Sequence, residues 1–317
     1  MTNNSFSIIT PVYNRQDCIQ RCIESVAGQG YENIEHRIID DGSTDNTAMI
    51  IEQQALRYPF IRFHRFDKNR GVNAARNYAI KNSTKNFIIF LDSDDYFVKD
   101  ALQTINQNIL ANPGYFHYLF AQNDRMTYYS QNPLLHTPTA ILTFGDFLTG
   151  KVSGDFAHVM DGLLLKQFPF DEYLRTYEGL TFLQIYKAGG KQFFVKEAIV
   201  NRERGRADSV TREYHLNNKA ALERQYISLN ETLSLFHEDY IRLHAGYALS
   251  KLVKRIFLFG LALEKYDDNK RLKEKAREWH IHFPSLIRLL NSLHLGFWFR
   301  NATFAYSYLK NKFVATP

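Results

Sequence analysis

The sequence predicts an α/β fold, a mainly parallel central sheet flanked by helices, with a helical region at its C-terminal end. Three observations predict it. Short apolar runs alternate with helically spaced stretches over the first hundred residues, as in a parallel sheet covered by helices on both faces. Polar clusters fall where the apolar runs end, and open α/β sheets bind ligands at the carboxyl ends of their strands. From about Tyr214 onward the spacing is almost wholly helical.

Phe6–Val12 is a β-branched apolar run ended by a Pro and Asn-containing turn, which reads as a buried strand. Asp17–Gly28 has helical spacing, with Ile19, Cys22, Ile23 and Val26 on one face. Ile34–Ile39 is a second strand running into Asp40-Asp41-Gly42-Ser43-Thr44-Asp45. Thr47–Leu56 is a second helix and Ile61–Phe66 a third strand. A third helix follows over Gly71–Lys81, after Asn69-Arg70-Gly71, and Phe87–Leu91 is a fourth buried strand that stops at Asp92. Residues 113–175 are aromatic-rich, with Pro133, Pro138 and Pro169 breaking the periodicity, and read as further strands and loops of the same domain. Glu178–Ala188 is a predicted helix stopped by Gly189-Gly190, and Gln192–Val200 a strand. Within the helical region, Asp267-Asp268-Asn269 and Pro284 read as interruptions.

Charge marks a boundary near residue 212. Residues 1–211 carry 22 Lys and Arg against 23 Asp and Glu, whereas residues 212–317 carry 17 against 10. The organisation is therefore a domain over 1–211 that holds the chemistry and a basic region over 212–317 that meets an anionic partner. A composition of 45% hydrophobic and 23% charged residues excludes a disordered or fibrous chain. No uncharged apolar run of about 18 residues is present, and the first residues lack the basic-then-apolar pattern of a signal peptide. Cys18 and Cys22, the only cysteines, complete no zinc spacing and read as reduced structural thiols. These features give a cytoplasmic reading.

Asp92-Ser93-Asp94-Asp95 places three carboxylates within four residues at the end of an apolar strand. Such a cluster is costly unless its charge is compensated, and Mg²⁺ or Mn²⁺ takes hard oxygen ligands, one or two carboxylates plus phosphate oxygens. A solvated acidic turn or a helix cap explains the cluster equally well on its own. Asp40–Asp45 is likewise either ordinary turn and cap chemistry or a carboxylate poised to accept an N–H from a nucleobase.

Taken together, the pieces resemble the family 2 glycosyltransferases, inverting enzymes of the GT-A fold found in bacterial surface-polysaccharide synthesis. The matching segments are Ile8-Ile9-Thr10-Pro11-Val12-Tyr13-Asn14, Asp40-Asp41-Gly42-Ser43-Thr44-Asp45, Asn69-Arg70-Gly71 with Ala75-Arg76-Asn77, and Leu91-Asp92-Ser93-Asp94-Asp95. They lie in the family's order over roughly residues 5–100, with a looser match to about 211. The resemblance implies that Pro11, Val12 and Tyr13 line a base pocket and that Asp41 accepts the N3–H of uracil. It puts Arg76 near the nucleotide or its phosphates, Asp92 and Ser93 by the ribose or metal, and Asp94 as the main ligand of Mn²⁺ or Mg²⁺. It implies a UDP-sugar donor and a glycan or lipid-linked acceptor, as in capsule or lipopolysaccharide assembly.

The family's usual acidic base stands before x-x-Phe at the start of a late helix. Here that segment is Tyr177-Glu178-Gly179-Leu180-Thr181-Phe182, so Gly179 occupies the usual position and Glu178 precedes it. Glu178 is the candidate base, with Asp161, Asp171 and Glu172 as alternatives; a helix-terminal acid without catalytic duty is the competing reading. Arg202, Arg204 and Arg206 follow the last strand, where the family has a loop that closes on the diphosphate, and can clamp phosphate oxygens.

In the C-terminal region, Leu252–Leu263 reads as core. Residues 293–313, aromatic and basic, read as a membrane or partner contact, on an anionic inner membrane face or in a homodimer. No nucleic-acid-binding module accompanies the charge. A non-catalytic nucleotide-sugar-binding module is the alternative to an enzyme, and Gly179 is the feature in its favour. A nicotinamide dehydrogenase is disfavoured because no G-x-G-x-x-G follows the first strand.

Overall fold

The structure, a computed structural model, describes residues 3–153, 155–175, 177–203 and 218–301. The chain divides into two compact units, Met1–Arg206 and Ala207–Pro317. The first unit opens with β1 (Phe6–Val12), α1 (Ile19–Ala27), β2 (Ile34–Asp40), α2 (Thr47–Arg57), β3 (Ile61–Arg65), α3 (Val72–Asn82) and β4 (Phe87–Phe90). It continues through β5 (Tyr96–Phe97), α4 (Ala101–Ala111), β6 (His117–Gln122), α5 (Met126–Gln131), β7 (Thr139–Thr143), α6 (Phe144–Leu148) and β8 (Ala157–Asp161). It ends with α7 (Gly162–Leu165), α8 (Gly179–Ala188) and β9 (Lys191–Asn201).

Strand β1 is buried along its whole length, and its period of two divides the core. Ile8 faces the side of α1, packing with Ile19, Cys22 and Ile23, while Ile9 faces that of α3, packing with Ala74, Ala75 and Ala79. Each fully buried Ile contributes about 1.5–3 kcal/mol, so this central strand anchors both layers. Cys18 and Cys22 are buried free thiols.

The sheet order is β3-β2-β1-β4-β8-β6-β9-β5, with β7 on β9. The first four strands are parallel, as the alternation predicts, and β6 runs parallel to β9. Three strands run the other way: β8 pairs antiparallel with β4 and β6, and β5 and β7 pair antiparallel with β9. Strict strand–helix alternation stops near residue 100, and antiparallel neighbours need no long crossover. The result is a mixed sheet. The chain leaves β1 for β2 on one side and returns to β4 on the other, so the strand order reverses between β2 and β4 at β1. That is where an open α/β sheet forms its crevice.

The second unit contains α9 (Lys219–Arg242), α10 (Gly246–Ala262), α11 (Tyr266–Glu278) and α12 (Ser285–Ser292). Leu252, Val253, Ile256, Phe257, Leu261 and Leu263 are buried, so Leu252–Leu263 is core. Asp267-Asp268-Asn269 is not an interruption. It forms the first turn of α11, where Asp side chains are favoured by the helix dipole, and the break falls instead at Glu264, whose φ is 62°. Pro284 does interrupt, as the N-cap of α12. No helix among the described residues is long and apolar enough to cross a membrane.

Candidate active site

The carboxyl ends of β1, β2 and β4 lie side by side, with Val12 paired to Asp40 and Ile9 to Phe90. The loops after β1 and β2 are tied together. Asn14 N–H donates to Ser43 Oγ (2.9 Å), Thr44 N–H to Asn14 Oδ1 (2.8 Å) and Arg15 N–H to Thr47 Oγ1 (2.7 Å). Pro11 and Val12 are buried at this edge, whereas Tyr13 is 41% exposed and available to a flat ligand.

Asp41 is buried, and its two oxygens accept the N–H groups of Arg70 (2.6 Å) and Gly71 (2.8 Å). Burial pushes its carboxyl above the usual carboxylate range, and those two N–H groups oppose the shift. Asp41 thus fixes the turn that opens α3, and each oxygen keeps a second lone pair for another donor. Gly42 is what lets this turn close: its φ is +76°, and a Cβ there would lie 2.8 Å from the Lys68 carbonyl carbon.

The acidic turn after β4 is held from below. Thr10 Oγ1 donates to the Leu91 carbonyl (2.8 Å) and Arg21 Nη2 to the Asp94 carbonyl (2.9 Å). The three carboxylates do not act alike. Asp95 is buried, accepts the Glu203 N–H (3.2 Å) and lies 3.8 Å from Arg202 Nε. Burial and the nearby Asp92 and Asp94 charges push its carboxyl up to about 8. This residue joins the turn to the end of β9, an arrangement enforced by β5 pairing Tyr96 with Asn201. Asp95 is thereby drawn away from Asp92 and Asp94, the two carboxylates that the resemblance places at the metal.

Among the described residues no group of three His, Cys, Asp or Glu side chains is arranged to hold a metal. The donor set nevertheless fits Mg²⁺ or Mn²⁺, which bind through one or two carboxylates and complete their shell with water and phosphate oxygens. Asp92 has a half-exposed side chain and Asp94 is half-buried, leaving room for such ligands. Ser93 is buried between them.

Arg76, on α3, joins the acidic turn to α8. Its side chain is 11% exposed; Nη1 donates to Glu178 Oε1, and Nη2 lies 3.3 Å from Asp92 Oδ1. Rather than projecting freely toward a phosphate, the guanidinium is framed by these carboxylates and by the Phe90 and Phe170 rings. Glu178 is the N-cap of α8, with a side chain 24% exposed. Burial raises its carboxyl above the usual range, Arg76 opposes that shift and Asp92 adds to it. At Gly179 nothing lies within 4 Å of the place a Cβ would take. Of the alternative bases, Asp161 caps α7, Asp171 accepts N–H groups from Tyr173 and Leu174, and Glu172 pairs with Arg70 at 3.3 Å.

Arg202 pairs with Asp155 (3.0 Å) as well as facing Asp95, while Arg204 and Arg206 lie outside the described residues. Sequence reasoning missed Asp155 and Asn73, and gave no role to Asn77, which stands within the matching segment Ala75-Arg76-Asn77. These asparagines, four apart on α3, donate to the Asp171 and Phe170 carbonyls at 2.8 Å each and moor the loop that leads to Glu178. Their i, i+4 spacing beside Arg76 was a readable signal. In the structure His158 stacks on Phe182 of α8 with ring centroids 4.5 Å apart and bonds His117 at 3.0 Å. Nothing in local sequence pairs residues 117 and 158.

Residues 7–158 match the family described as Glycosyl transferase family 2. Over 296 residues, covering 90% of this chain and 93% of the relative, the sequence is 27% identical to the GalNAc(5)-diNAcBac-PP-undecaprenol beta-1,3-glucosyltransferase of Campylobacter jejuni. Among solved structures, S. aureus TarS 1-349 in complex with UDP-GlcNAc superposes with a TM-score of 0.63 at 20% identity, over 82% of this chain and 75% of that one. The mannosyltransferase PcManGT from Pyrobaculum calidifontis, in complex with GDP-Man and Mn²⁺, superposes at 0.56 and 16% identity, over 97% and 88%. Likeness at these identities establishes the fold.

Proposed function

We propose that this chain, whose residues 7–158 match the glycosyl transferase family 2 model, transfers a sugar, with inversion, from a UDP-sugar to a glycan or lipid-linked acceptor in surface-polysaccharide synthesis. The observation that carries the reading is the convergence of Asp92 and Glu178 on Arg76, from β4 and α8, at the crevice where strand order reverses. The relatives add support. One is named for a glucosyl transfer to a diphospho-undecaprenol-linked glycan, and one neighbour is solved with UDP-GlcNAc. On this reading the enzyme works in the cytoplasm, at the inner face of a membrane holding the acceptor.

Tyr13, Pro11 and Val12 form the wall for the base, and Asp41 accepts an N–H from it with its spare lone pairs. Asp94, with Asp92, would hold Mn²⁺ or Mg²⁺, which would supply charge neutralisation for the leaving UDP. Arg202, and Arg204 and Arg206 beyond the described residues, supply cations to the same phosphates. Glu178 takes the proton of the acceptor hydroxyl as its oxygen bonds to the anomeric carbon. The bond from that carbon to the diphosphate oxygen breaks with its electron pair leaving on UDP. The base must be ionised to act, and Arg76 is the group that favours ionisation against burial.

A binding module without turnover is the second reading, favoured by the commitment of Glu178 to Arg76 and the empty place beside Gly179. Measuring UDP release from a panel of UDP-sugars with lipid-linked and soluble acceptors separates the two. Glu178→Gln should keep donor affinity and lower kcat by about 10²-fold or more. Full turnover in that variant moves the base elsewhere, and tight UDP binding without release from any donor favours the module.

A further inference from the structure

We propose that α12 and the helical turn beginning at Gly296 dock on an anionic lipid surface, with the leucine ridge of α12 in the boundary between headgroups and acyl chains. The inference concerns the second unit and stands apart from the donor site. Helix α12 is amphipathic, yet none of its residues is buried. Leu286 and Leu289, with Leu293 just after the helix, share one face at helical spacing and are 66%, 52% and 58% exposed. Its other face, through Arg288, Asn291 and Ser292, lines a cavity of about 330 Å³ with Lys270 and Lys273. A helix covering a soluble core turns its apolar face inward; this one turns it outward. Just beyond it, Phe297 and Trp298 are 49% and 69% exposed.

The chemistry of the surroundings selects the occupant. Residues 279–317 contain no Asp or Glu, whereas they include Arg288, Arg300, Lys310, Lys312 and three histidines. A second copy would bring this basic segment against its own equivalent, which like charge disfavours, although Asp267 lines the cavity beside Arg288 and Glu264 lies 3.7 Å from Arg300. A bilayer with anionic lipids offers the complementary field, attracts Lys and Arg within about a Debye length, and accepts Trp at the headgroup level. The apolar ridge, with Arg288, Lys270 and Lys273 on the opposite side of α12, forms the pattern of a helix lying in a membrane interface.

The test is flotation of the full chain with phosphatidylcholine vesicles, with and without phosphatidylglycerol. Binding is expected to the anionic vesicles, weakened by salt, with a blue shift of tryptophan emission. Replacing Leu286, Leu289 and Leu293 together by Ser touches only exposed side chains. It should weaken vesicle binding by about tenfold or more while leaving UDP-sugar turnover on a soluble acceptor unchanged. Equal binding to neutral and anionic vesicles, or undiminished binding of the triple variant, overturns the proposal. So does a concentration-dependent dimer of the wild type that the triple variant loses, which would assign the ridge to a second copy.

Discussion

Replacing Arg76 by Met tests the charge arrangement from the side of stability. Met keeps much of the aliphatic stem but removes the guanidinium, whose carbon lies 5.5 and 5.9 Å from the Phe90 and Phe170 ring centroids. Two ion pairs are lost, and they are unequal. Asp92 is half exposed, so its pair contributes about 0–1 kcal/mol. Glu178 and Arg76 are 24% and 11% exposed, and breaking a buried pair by removing one partner costs about 3–5 kcal/mol. Water reaching Glu178 favours the low end, so the loss should be about 3 kcal/mol near neutral pH. At roughly 2–4 °C per kcal/mol for a domain of this size, Tm should fall by roughly 6–12 °C. The loss should also depend on pH. Glu178 already has a raised pKa, and without Arg76 it rises further. A carboxyl whose folded pKa lies above its unfolded value contributes stability that is present at low pH and lost as pH rises through the folded pKa. The variant should therefore be closer to wild type at pH 5 than at pH 8. Denaturant unfolding of both proteins at the two pH values measures this. A difference under about 0.5 kcal/mol, or one that is the same at pH 5 and pH 8, would refute the reasoning.

Gly42→Ala must strain a left-handed backbone and push against the Lys68–Asn69 peptide, so it should cost about 2–4 kcal/mol and weaken UDP binding through displacement of Asp41; wild-type stability and affinity would show that the turn yields freely. His36 is buried between β1 and β2, bonded to Thr10 at 2.9 Å, and burial lowers its pKa to about 3. Below about pH 6.5 the unfolded chain takes up a proton that the folded imidazole refuses, so stability falls with pH. Relative to His36→Gln, wild type should lose about 1.4 kcal/mol more between pH 7.5 and 5.5, and a pH-independent difference would mean that the imidazole charges in place.

How much was legible follows from the range of the interactions involved. Strands β1, β2 and β4 were readable as short runs rich in Ile and Phe, with Asp40–Asp45 and Asp92–Asp95 marking the carboxyl ends of β2 and β4, whereas β3, where only Ile61 is buried, was readable from its place in the strand–helix alternation. Local patterning could not show that Asp95 turns to Glu203 and Arg202, since only the pairing of β5 with β9 brings those residues together. Nor could it join Arg76 to Glu178, 102 positions away, or stack His158 on Phe182. The error at Asp267–Asn269 has a different origin. Acidic residues were read as a break when they were a helix start, since Asp suits both a loop and a first turn.

In the proposed donor site, Asp94 would bind the ion that holds the diphosphate. Calorimetric titration of UDP into wild type and Asp94→Ala, each with Mn²⁺ and with chelator, tests it most directly. Wild type should bind UDP much more tightly with Mn²⁺ than with chelator, and Asp94→Ala should lose that metal-dependent gain. Equal UDP affinity with and without Mn²⁺ in wild type, or an undiminished gain in the variant, would contradict it.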